Sequence, residues 1–193
     1  MRVIAGTLRG RRLETLPGLD LRPTLDRVRE AIFNILQDDV ADARVLDLFA
    51  GTGALGIEAL SRGAASALFV DESPSALLVL KKNLDGLGIA ARGSVVRAAL
   101  PAALSSQLRA AGSFDIIFAD PPYRTSLAHE TLASLVAAPW FPGWRCVVIE
   151  TERRVDLASS DAWNLSTGAV IAADRRVYGD TAVTILRPTA GAN

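Results

Sequence analysis

From Arg44 onward the chain alternates short apolar runs with longer amphipathic stretches. Val45–Phe49, Ala67–Val70, Ser94–Arg97, Asp115–Ala119 and Cys146–Ile149 have the length and β-rich composition of strands. The gaps carry apolar residues at helical spacing and predict helices over Ala54–Ser61, Pro74–Leu87, Leu100–Ala111 and Leu127–Ala137, with Pro74 at a tolerated first-turn position. Strand and helix in turn imply right-handed crossovers and a parallel sheet covered on both faces, so the fold class is α/β, doubly wound. Near the end this alternation stops. Ala169–Ala173 and Thr181–Leu186, joined through 175–180, read as a terminal antiparallel pair.

Ahead of this region, Arg2–Leu8 and Arg11–Leu16 read as two short strands around the turn Arg9-Gly10. They predict a small N-terminal β-hairpin extension over residues 1–20, followed by one larger domain over 21–193. After a loop containing Pro17, Gly18 and Pro23, Thr24 or Asp26 can cap a helix with Val28, Ile32, Ile35 and Leu36 on one face, ending near Asp38.

Composition narrows the class. At 193 residues, 50% hydrophobic and 22% charged, the chain is that of a soluble globular protein. The single cysteine, Cys146, sits in an apolar run and excludes a disulfide framework. No apolar stretch is long enough to span a bilayer and no signal segment opens the chain, which predicts a cytoplasmic protein without a membrane partner. The one histidine, His129, is expected to be exposed or capping on its helix. Net charge is zero, yet residues 1–29 carry seven arginines against Glu14, Asp20 and Asp26. Arg2, Arg9, Arg11, Arg12, Arg22, Arg27 and Arg29 are therefore candidates for binding a polyanion, with Arg2, Arg9, Arg11 and Arg12 clustered in the hairpin and Arg22, Arg27 and Arg29 closer to the core, where some can instead pair with Asp26 or Glu30.

Two motifs carry chemistry. Val45-Leu-Asp-Leu-Phe-Ala-Gly-Thr-Gly-Ala-Leu-Gly56 places a glycine-rich turn between a strand and a helix, where open α/β sheets bind ligands. Gly51 and Gly53 allow close backbone approach, and free N–H groups at the helix start can receive an anionic ligand end. Asp71 at the tip of the second strand is placed for ribose hydroxyls, and Phe49 and Glu72 lie beside these positions. The glycines alone also fit a nicotinamide dinucleotide. Asp47 favours S-adenosylmethionine, because a carboxylate before the turn repels a pyrophosphate but accepts from an ammonium group. The third strand ends at Ala98 and Ala99 without an acid or amide, so backbone and apolar contacts would recognise the adenine.

The second motif is Asp120-Pro121-Pro122-Tyr123 after the fourth strand, which should lie beside the first. Two prolines stiffen the loop. The Asp120 carboxylate and the Pro121 carbonyl can grip the hydrogens of an exocyclic amine while Tyr123 stacks on the base. No metal is required.

With both motifs in hand, the chain resembles the bacterial RsmD family. The likeness runs through Arg2–Gly6, Gly10–Arg12, Leu21–Asn34, Leu46–Gly63, Asp120–Tyr123 and Tyr178-Gly179, and the stretch Arg22-Pro-Thr-Leu-Asp-Arg-Val-Arg-Glu30 is its more specific part. The resemblance implies a Rossmann-like class I methyltransferase fold with a mostly parallel seven-stranded sheet and a terminal antiparallel strand. It implies methyl transfer from S-adenosylmethionine, leaving S-adenosylhomocysteine, to the 2-amino group of the guanine at position 966 of 16S ribosomal RNA, within a small-subunit particle or assembly intermediate, by a monomer. It places donor contacts at Asp47, Gly51, Gly53 and Asp71 and the base grip at Asp120 to Tyr123. Asp stands at position 71 where the family often has Glu, and Ala98 lacks a polar side chain seen in some relatives.

Overall fold

The computed structural model describes residues 1–16, 23–105, 108, 111–123, 126–137, 143–157 and 171–188. Among these residues seven strands form one sheet: β1 Arg44–Leu48, β2 Ser66–Asp71, β3 Gly93–Arg97, β4 Ile116–Ala119, β5 Cys146–Glu152, β6 Ile171–Tyr178 and β7 Thr181–Pro188. Their spatial order is β3-β2-β1-β4-β5-β7-β6. The first five pair in parallel, whereas β7 runs antiparallel to both β5 and β6. The parallel core is the one that the alternation predicted, β6 and β7 are the terminal antiparallel pair, and together they make the Rossmann-like, mostly parallel seven-stranded sheet that the resemblance implied.

Among the described residues four α-helices cover it: α1 Pro23–Leu36, α2 Ala54–Ser61, α3 Pro74–Leu87 and α4 Leu127–Val136. One face of the sheet packs Val45, Phe69, Phe118, Val148 and Ile185 against α1, α2 and α3. The other packs Leu46, Leu48, Ile117, Ile149 and Leu186 against α4 and Leu104 and Leu108. Flanked by strands and layered on both sides, β1 and β4 are apolar at every buried position except Asp47, which is why they read as unbroken runs. Gly56 lets α2 settle onto β2: a Cβ there would stand 2.3 Å from the Phe69 ring. Ser73 caps α3, with Pro74 in its first turn and Gly88 (φ +72°) ending it. No helix among the described residues is long and apolar enough to cross a membrane.

Four expectations change in detail. The N-terminal hairpin is not two strands but a single antiparallel bridge between Arg2 and Arg12. Side chains of α2 take the donors that a longer ladder would need: Glu58 accepts from the Ile4 and Ala5 N–H groups and Ser61 Oγ from that of Leu8. Of the helix expected over Leu100–Ala111, the described residues show a 3-10 turn, Ala102–Ser105, which with Leu108 buries apolar side chains, while 106, 107, 109 and 110 lie outside them. Thr24 and Asp26, expected as caps, lie inside α1, which starts at Pro23. Finally, β6 includes Arg175 and Arg176, so only Gly179 and Asp180 make the turn into β7; Ala169 and Val170 of the expected strand lie outside the described residues.

Candidate active site

The strand order reverses between β1 and β4, opening a crevice at their carboxyl ends. Both sequence motifs meet there, and the Asp120 N–H donates to the Leu48 carbonyl at 3.4 Å.

On the β1 side the glycine turn is tied together by its own acids. Asp47 is 2% exposed and its Oδ2 accepts from the Gly56 N–H at 2.8 Å. Burial, with added repulsion from Asp120 and Asp71, pushes its pKa up to about 7 against the opposing hydrogen bond. Asp71 accepts from Gly51 N–H and Ser73 N–H, each at 2.8 Å, which leaves further lone pairs on both oxygens. The Gly53 N–H donates to the Ala50 carbonyl. Thus the N–H groups of Gly51, Gly53 and Gly56, expected to meet an anionic ligand end, are used within the loop, and the glycines contribute shape. A Cβ at Gly51 would meet nothing within 4 Å, so the space over the turn is open. Phe49 precedes the turn with φ +57° and packs partly against the α4-side core. Glu72, Ala98 and Ala99 come together with Arg97 around an open cleft of about 480 Å³ beyond β3; Arg97 was not foreseen.

On the β4 side, Asp120 lies on the floor of the crevice. Its side chain opens to solvent while protein crowds it elsewhere, and this desolvation pushes its pKa up to about 6. Pro121, Pro122 and Tyr123 line a second cavity of about 210 Å³ with Thr151, Glu152 and Arg154. Tyr123 is 40% exposed, and its hydroxyl shares a 2.8 Å hydrogen bond with Thr181 Oγ1, which fixes the ring against the β6–β7 turn. Sequence reasoning missed this partner, and no motif marks it. It also missed Glu150, 6% exposed on β5. The signal was available: it is the acid that directly follows the apolar run Cys146–Ile149.

The arginines separate into groups. Arg29 is 4% exposed and does not face solvent; its guanidinium donates to Asp26 and the Arg2 carbonyl and lies 3.8 Å from Glu58. It pins the N-terminal segment rather than offering a phosphate contact. Arg11 is exposed but donates to the Gly86 carbonyl. Arg2, Arg9, Arg12 and Arg27 are exposed, with no ion pair among the described residues, and Arg22 lies outside them. Asn83 links this arm to the glycine turn, accepting from the Glu14 N–H and donating to the Glu14 and Thr52 carbonyls. His129 is exposed on α4.

A family model described as conserved hypothetical protein 95 matches residues 1–187. The chain is 38% identical over 166 residues to ribosomal RNA small subunit methyltransferase D of Escherichia coli (strain K12), covering 86% of this chain and 82% of that one. The Haemophilus influenzae protein of the same name is 36% identical over 165 residues, 86% of each. The solved structure of the Escherichia coli protein yhhF superposes with a TM-score of 0.82 at 35% identity, covering 98% of both chains.

Proposed function

The chain belongs to the RsmD family, described as conserved hypothetical protein 95, and on that premise we propose that it is an S-adenosylmethionine-dependent methyltransferase of small-subunit ribosomal RNA that modifies the 2-amino group of the guanine at position 966. The observation that carries this reading is the meeting of two chemistries in one crevice: a buried acid beside an open glycine turn, and a rigid Asp-Pro-Pro-Tyr loop on the adjacent strand.

The residues fit the methyl donor. Asp47 would hold its ammonium, whose charge would favour the ionised carboxylate despite burial; Asp71 has lone pairs that would hold the ribose hydroxyls; the cleft at Glu72, Ala98 and Ala99 would take the adenine. When bound, the donor supplies a methyl group made electrophilic by a sulfonium. The chain then has only to position and to move one proton. The Asp120 carboxylate and the Pro121 carbonyl accept from the target amine, Tyr123 stacks on the extruded base with its ring held by Thr181, and Asp120 takes the proton that the amine gives up. The exposed Arg2, Arg9, Arg12 and Arg27 meet RNA phosphates. A monomer acting on an assembled or assembling small-subunit particle completes the reading.

The test is methylation of small-subunit particles from cells lacking the endogenous enzyme, with the modified nucleotide located by mass spectrometry. A methyl group on that guanine's 2-amino nitrogen is expected; transfer to an adenine, to protein or to nothing would overturn the proposal.

A further inference from the structure

One acid of the crevice has no task so far. Ala119 pairs in parallel with Ile149, so the next residues, Asp120 and Glu150, come side by side at a strand spacing of about 4.8 Å. Alternation puts both on the face of Phe118 and Val148, under α1. Glu150 is 6% exposed, and its carboxyl makes no ion pair and accepts no hydrogen bond among the described residues. The charged groups around it are Asp120 from β4, Asp47 from β1 and Arg29 from α1, with Tyr123 beyond, while β7 offers Val183 as its cross-strand neighbour. Arg29 pairs with Asp26 and Glu58 instead.

Two carboxyl groups this close cannot both ionise cheaply, and they titrate as a pair that retains one proton. Position decides which group keeps it. Glu150 is enclosed, and burial together with the Asp120 charge pushes it well above the usual carboxylate range, whereas Asp120 opens onto the crevice.

We propose that Glu150 is a positioning residue for Asp120: a neutral carboxylic acid that donates a hydrogen bond to the Asp120 carboxylate and so fixes the oxygen left to receive the amine. The inference rests on the reading of Asp120 as the amine grip. When the methylated amine loses its proton, an N–H bond breaks and an O–H bond forms on the outward Asp120 oxygen. Glu150 keeps its own proton, and Asp120 returns to the ionised state by passing its proton to water.

The resting protonation is measured without donor or RNA, by titrating the carboxyl carbons of 13C-labelled protein. Glu150 is expected to stay protonated at pH 7 with Asp120 ionised, and Asp120→Asn to shift the Glu150 titration to lower pH. An ionised Glu150 at pH 7 overturns the proposal whether or not the protein methylates RNA. If the wild type transfers no methyl group, the functional reading fails and this titration alone decides. Where transfer is observed, Glu150→Ala should slow the single-turnover rate about tenfold or more, with donor affinity within about twofold. Glu150→Gln, which still donates an N–H and monitors folding, should restore most of the rate and lose the alkaline limb of its pH profile. A wild-type rate in Glu150→Ala, or an unchanged alkaline limb in Glu150→Gln, would overturn it.

Discussion

The two halves of the crevice hold their acids in opposite ways. At β1 and β2, Asp47 and Asp71 accept from backbone N–H groups of the turn they border, so the acids set the shape of the loop and the loop fixes the acids. At β4 and β5, Asp120 and Glu150 follow paired residues of neighbouring strands without such donors, and rigidity comes from prolines and from the bond between Tyr123 and Thr181. In the reading proposed above, the first half serves as a preformed cradle for the methyl donor. The second is a set of side chains whose protonation can change, which suits the half to which that reading assigns the release of a proton.

The sharpest way to break this comparison is to remove one acid from each half. Asp120→Ala should cut single-turnover methyl transfer about a hundredfold or more while leaving donor affinity within about twofold. Calorimetry and rapid-quench kinetics on one preparation check both, and a loss confined to donor binding would erase the distinction. Asp47→Ala and Asp71→Ala should do the converse, weakening donor affinity roughly tenfold or more through lost charged hydrogen bonds. Their transfer rates should recover at saturating donor. Wild-type affinity in both variants, with the fold intact, would remove the cradle assignment.

Legibility from sequence followed the same divide. The glycine turn is a local motif read from consecutive residues, and the limits of α2 and α3 match their apolar spacing, with Pro74 in the first turn of α3. What escaped depended on distant pairing. Glu150 gains meaning only from the β4–β5 register. Pairing of Arg29 with Asp26 was legible from their spacing and is found, but only docking against Glu58 and the Arg2 carbonyl buries the side chain. The N-terminal hairpin shortened because Glu58 and Ser61, more than fifty residues away, claim its N–H groups.

Two smaller effects sharpen the contrast. In the ligand-free protein Asp47 and Asp120 have pKa values raised to about 7 and about 6 from 3.8. The folded state therefore binds protons more tightly than the unfolded chain, and their contribution to stability is present at low pH and lost as pH rises from about 4 to about 7. Melting temperature should carry this as a downward slope that flattens in Asp47→Asn, each kcal/mol corresponding to about 2 to 4 °C. A slope identical in that variant would contradict the burial argument. The smallest effect concerns neither half: neutralising Arg9 and Arg12 should reduce the log–log salt slope of RNA affinity by about 0.7 to 0.9 per lost phosphate contact, leaving donor affinity unmoved. An unaltered slope would make the arm a cover for α2 and nothing more.

The position of β7 has a consequence for synthesis. The last strand made lies inside the sheet, between β5 and β6. Until Thr181–Pro188 emerges from the ribosome, β5 presents a free edge whose residues Cys146 to Thr151 are all destined for burial. Such an edge invites pairing between nascent chains. A chain cut before Thr181 should therefore aggregate even with every residue of the crevice up to Tyr123 and Glu150 already translated. By contrast, the edges of the finished sheet are β3 and β6; the first ends in Arg97 and the second carries Asp174, Arg175 and Arg176, charges that discourage the same association once folding is complete.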